Sequence, residues 1–174
     1  EAKHTFPWLD LSEHHHYYQH DGGFRAAECE LICNWYSQQH LYLLQEMEKV
    51  DMGGHSLLDE SVVFFGSEIS DPPTHNKTNM PFLLAGNGGG LRTGRWVRYA
   101  NLPHNNLLVS ILKLFGDTRT TFGAQEFCTG PLTSLTDSAS PSTSVSVGRT
   151  SPLSAASSAV VKLRSTATGA SLTD

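Results

Sequence analysis

No stretch of this sequence approaches the roughly 18 consecutive apolar residues that a membrane-spanning helix requires. It also lacks a basic excess. Twelve Lys and Arg stand against 17 Asp and Glu, a formal charge of −5, which argues against the basic face that a nucleic-acid binder presents to phosphates. Cysteine is scarce and odd in number, with three residues. Cys29 and Cys33 lie one helical turn apart, a spacing that suits neither a disulfide nor a CxxC motif, so they read as small hydrophobes. No Gly-x-Ser-x-Gly elbow and no Walker or Gly-x-Gly-x-x-Gly pattern occurs, which removes the commonest signs of a serine hydrolase or nucleotide site. The chain as given shows no signal peptide and begins on Glu, so an N-terminal portion is expected to precede it.

The last 39 residues lack a whole class of side chains. From Thr136 onward there is no Phe, Tyr, Trp or His, and 17 of the 39 residues are Ser or Thr. Such a segment buries too little apolar surface to offset the entropy of ordering it. Residues 136–174 are therefore expected to be a disordered tail or linker, with Ala159-Val160-Val161 its one run of strand character. Residues 1–135 form the foldable part and hold 9 Lys and Arg against 15 Asp and Glu.

Within 1–135 the periodicity predicts a layered α/β arrangement. Residues 24–50 carry Ala27, Leu31, Trp35 and Ile32, Tyr36, Leu43, Met47, Val50 at helical spacing, stopped by Gly53-Gly54. Val62-Val63-Phe64-Phe65 has the pattern of a strand buried on both faces. Pro72-Pro73 ends regular structure. Pro81 to Gly86 is a second apolar run, followed by the glycine-rich turn Gly86–Gly90. Gly94 to Tyr99 alternates like an edge strand. Asn105 to Phe115 is a second amphipathic helix, with Gly116 as its C′ residue.

Two polar clusters carry ligand chemistry. The first follows the strand ending at Phe65, where open α/β sheets place their sites. The loop Gly66 to His75 supplies Glu68, Asp71 and His75, and carboxylate oxygen and neutral imidazole are ligands for zinc, manganese or similar divalent ions. The plain alternative is solvated loop charges, with Asp71 capping a turn. The second cluster is His14-His15-His16 with His20 and Asp21. His16 and His20 share a face if the segment is helical, and the alternative there is a polar surface. Gly86–Gly90 could cradle a phosphate, although a turn is the simpler reading, and Arg92, Arg95 and Arg98 could meet an anion. His104 precedes the second helix, where a cap or surface role is the default, and His40 and His55 are assigned no role.

The stretch Glu13-His-His-His-Tyr-Tyr-Gln-His-Asp-Gly-Gly23 resembles the signature of the HXXSHH family, exported bacterial proteins of unknown function. His16 falls on the motif's first histidine and His20 on its second. The resemblance continues at Asn34-Trp35-Tyr36, Leu57-Leu58-Asp59, Gly66-Ser67-Glu68, Ser70-Asp71 through His75-Asn76, Asn79-Met80-Pro81, Leu84-Ala85-Gly86, Asn105-Asn106-Leu107 and Thr129-Gly130-Pro131-Leu132. It covers about 1–135, as the C-terminal portion of a longer member. Gln19 stands where the motif has Ser, and Asp21 where it has its last His. The family is similar, more distantly, to the alkaline phosphatase and sulfatase superfamily. That likeness implies a partial doubly wound sheet with flanking helices and a divalent metal ion (zinc, manganese or calcium). His16, His20, Asp71 and His75 would be its ligands, with Asp21 and Glu68 as further candidates. It also implies a small anionic phosphate or sulfate ester as substrate, with Arg92 and Arg95 on the substrate side, and export to the periplasm or cell surface. No nucleophile is identified. The alternative is a non-enzymatic exported binding protein on the same fold.

Overall fold

A computed structural model describes residues 3–132, Leu135 and the backbone of Val161–Ser165. The rest of the Ser/Thr-rich segment lies outside the described residues.

The long helix, α1, spans Ala26–Lys49, two residues inside its expected start. No side chain caps its N-terminus, but Glu28 in the first turn and Lys49 in the last complement the helix dipole. Strand β1 is Val63–Gly66, β2 is Met80–Ala85 and β3 is Trp96–Tyr99. Helix α2 spans Asn105–Leu114. Gly116, with φ of 84°, follows its cap, and Asp117 N–H bonds back to the Leu112 carbonyl, as the sequence pattern predicts.

Strands β1 and β2 form an antiparallel pair, with Phe64 opposite Leu84 and Gly66 opposite Phe82. A doubly wound sheet would join its strands in parallel, through a crossover that covers the sheet face. Here the connection 67–79 holds only the three-residue 3-10 turn Pro72–Thr74, which is too short to cross over and cover the sheet. The chain therefore returns as a broad hairpin. β3 pairs with neither β1 nor β2; the backbone of Val161–Ser165 runs between β2 and β3, antiparallel to the first and parallel to the second.

Directly opposed residues share a face, so the hairpin has two distinct sides. Val63 and Ala85 face α1, where they pack with Leu44 and Leu58. Met80, Phe82 and Leu84 face the other way and join Leu91, Val97, Leu107 and Leu135, with α2's Ile111 and Leu114 against them. The hairpin is thus held between two helices, and the described chain is a mixed α/β layered structure. Burying a side chain such as Leu84, which has no exposed surface, contributes about 2 kcal/mol. Two expectations need correction. β1 is not buried on both faces, since Phe64 keeps 42% of its surface exposed at the sheet edge. Helix α1 buries only Cys29, Ile32 and Leu44 and leaves Leu31, Tyr42 and Leu43 exposed.

The N-terminal segment packs on the first half of α1. Phe6 and Tyr18 are buried with Cys29 and Ile32, and Phe6 makes edge contacts with Trp8, Trp35 and Tyr36. The segment ends in a π-helical turn, Tyr17–Asp21.

Candidate metal site

The π-helical turn sets the first half of the site. Its i to i+5 bonding, Gly22 N–H to the Tyr17 carbonyl at 3.0 Å, makes a wide turn of the kind common at functional sites. Residues four apart then lie almost in line, and the rings of His16 and His20 stand 4.7 Å apart. The neighbouring histidines hold this turn in place. His14 Nδ1 accepts the Tyr17 N–H at 3.0 Å, and His15 Nε2 bonds the Gln19 amide nitrogen at 3.1 Å. His15 is half-buried, and burial holds its pKa below the usual histidine value, helped by His16 and His4. Gln19, where the motif has Ser, therefore spends its side chain on bracing the turn.

The second half comes from the loop after β1. Pro72–Thr74 forms a 3-10 turn, and His75 closes it in the left-handed conformation, φ 53°. A non-glycine residue in that region costs about 1–2 kcal/mol, although histidine tolerates it better than most. The turn packs against the π-helical turn. It brings His75 Nε2 to 3.0 Å from His20 Nε2, across 55 residues of chain. The rings are close to perpendicular, at 76°.

The other candidates are placed differently. The Asp71 carboxylate accepts a hydrogen bond from the Thr74 hydroxyl, and the Asp71 backbone pairs with Asn76; it shapes the turn that positions His75. Asp21 and Glu68 are exposed. Among the described residues no three His, Cys, Asp or Glu side chains stand together in a metal-holding arrangement. Arg95 donates from Nε to the Arg92 carbonyl at 3.1 Å and from Nη2 to the Leu135 carbonyl at 3.0 Å, and Arg92 N–H bonds the same Leu135 carbonyl at 3.0 Å. Arg95 braces that turn.

Gly86–Gly90 is committed to packing. A Cβ on Gly86 would lie 2.1 Å from the Ser61 carbonyl oxygen, and the Asn87 and Gly88 N–H groups bond the Leu58 and Ser61 carbonyls. Those donors do not point at a phosphate. Glycine is needed here so that two backbones can touch.

No family model matches the chain, and neither does any curated protein or solved structure.

Two imidazole nitrogens on one tetrahedral ion, each at about 2.0–2.1 Å, stand about 3.3–3.4 Å apart. The 3.0 Å between His20 and His75 is within a small ring rotation of that value. The donor chemistry therefore fits a borderline-soft divalent ion better than calcium, which takes oxygen ligands. The pair is exposed to solvent.

His40 went unassigned on sequence and proves to be well placed. Its ring stacks on Phe65 of β1 at 4.6 Å and 17°, and its Nε2 is buried without a hydrogen-bond partner. Nothing in the local pattern around a mid-helix histidine gives that contact, since it depends on where β1 docks.

Proposed function

We propose that this chain binds a divalent transition-metal ion through His20 and His75 and serves as a metal-dependent hydrolase domain for phosphate or sulfate esters. The observation that supports it is the approach of His20 Nε2 and His75 Nε2 to 3.0 Å from segments 55 residues apart. An ion held by these imidazoles would supply a bound water of lowered pKa as nucleophile. Two imidazoles leave positions open, as hydrolytic sites require, whereas a structural site is closed by four protein ligands. His14, His15 and Gln19 keep His16 and His20 in register, and Asp71 with Thr74 fixes the turn that presents His75.

The HXXSHH-like, exported character and the alkaline phosphatase-like plan belong to this reading. The sheet held between two helices supports that plan; the antiparallel β1–β2 pair departs from it.

Calorimetric titration of the full chain with Zn2+, Mn2+ and Ca2+ tests the site, followed by turnover of p-nitrophenyl phosphate and p-nitrophenyl sulfate. One Zn2+ or Mn2+ should bind per chain, weakened at least about tenfold by His20→Ala or His75→Ala. Metal-dependent turnover lost in the same variants carries the hydrolase assignment. Binding without turnover leaves the non-enzymatic binding protein, and no binding by the folded chain ends both.

A further inference from the structure

We infer that His40 and His104 act as an acid-sensitive clamp on the β1–β2 hairpin, gripping it from opposite faces when neutral and loosening it when protonated. This does not depend on the metal reading.

The hairpin presents Phe65 toward α1 and Phe82 toward α2, since Phe65 and Phe82 occupy opposite-face positions of the register. Each phenylalanine meets one histidine. His40, two-thirds of the way along α1, lies flat on Phe65 at 4.6 Å. His104, immediately before α2, stands 6.0 Å from Phe82, beside a cavity lined by Tyr99, Leu102, Leu107 and Leu132 that holds at most one water. Among the described residues no carboxylate stabilises a charge on either ring. At His40 the facing β1 residues are Val63 and Phe65, and burial alone lowers its pKa. At His104 the titratable neighbours are Tyr99 of β3 and Lys77 ahead of β2. Burial lowers the pKa first, and the Lys77 ammonium adds to it.

A histidine depressed in the fold binds its proton more readily once the fold opens. Stability from it is complete above the ordinary histidine value of about 6.5 and is lost as pH falls through the folded value. Protonating His40 would bury an ammonium-like charge whose Nε2 has no partner, and the helix must move off Phe65 to hydrate it. β1 runs directly into the 67–79 connection and β2 leaves it, so release of the hairpin loosens the turn that carries His75.

Amide hydrogen exchange on the full chain, corrected for intrinsic rates, reads this clamp between pH 7.5 and 5.0. Exchange in β1 and β2 should speed up on acidification by about tenfold for each unit that the two midpoints together lie below 6.5. The His40→Leu/His104→Leu double variant should lose that acceleration. Acid effects from the separate His4–His20 cluster should remain in residues 4–21 and 72–76. If the leucine variant does not fold, His40→Gln/His104→Gln gives the same readout, since glutamine stays uncharged at pH 5. Equal acid acceleration of the hairpin in wild type and double variant overturns the inference. So does an NMR titration placing both histidines at or above 6.5.

Discussion

Asn106 is the most exacting test of how the C-terminal part of the described chain is held. It sits in the first turn of α2, 3% exposed, and makes a reciprocal pair with Thr129. Its Nδ2 donates to Thr129 Oγ1 at 2.8 Å, and its Oδ1 accepts the Thr129 N–H at 3.0 Å. Asn106→Ala removes both bonds, each worth about 1 kcal/mol net, and strands a partly buried N–H at a further cost of about 1 kcal/mol. The expected loss is about 2–3 kcal/mol. For a domain of this size that is a fall in Tm of roughly 3–5 °C per kcal/mol. Urea unfolding gives the free energy, and a double-mutant cycle with Thr129→Val isolates the Nδ2–Oγ1 bond, for which about 1 kcal/mol of coupling is expected. Asn106→Leu refills the volume without the hydrogen bonds, so it should fall with Asn106→Ala. A loss below about 0.5 kcal/mol in Asn106→Ala, or zero coupling in the cycle, would refute the reasoning.

Gly86→Ala should destabilise by at least about 2 kcal/mol. The site has φ of 98° and the new Cβ would meet the Ser61 carbonyl oxygen at 2.1 Å; a denaturation midpoint equal to wild type would show that the glycine-rich turn is not packed against 58–61. In the α1–β1 loop, His55 is bonded to Glu60, which raises its pKa, chiefly through that hydrogen bond. Any stability it contributes is present below about 6.5 and is lost as pH rises through the folded value. Glu60→Gln should move the NMR titration midpoint of His55 downward, and an unmoved midpoint would remove the pairing.

Much of the fold was legible because it is written in local pattern. Both helices, the two apolar strands, and Gly116 as a helix terminator follow from spacing and turn chemistry. Strand direction was not, since an apolar run reads the same in either orientation. The deciding feature was the 67–79 connection, which holds one short 3-10 turn and no crossover helix. The exposed edge of Phe64 was hidden for a related reason. A continuous apolar run predicts a buried strand, while burial itself depends on which neighbour pairs on the open side.

The candidate site divides along the same line. The two histidine-bearing segments were visible separately, and their approach is a tertiary fact. Asp71 is followed three residues later by Thr74, whose hydroxyl donates to one of its carboxylate oxygens. An Asp-Pro-Pro-Thr sequence is a turn builder first, since short polar side chains satisfy local backbone and hydroxyl partners before distant ones. On the proposed reading the donors are imidazole nitrogens, and that has a consequence. A site of imidazoles alone carries no negative charge, so a bound divalent ion would keep its full charge. It would then attract an anionic ester more strongly than a carboxylate-neutralised ion. It would also release the metal on acidification, because each imidazole must be neutral to bind.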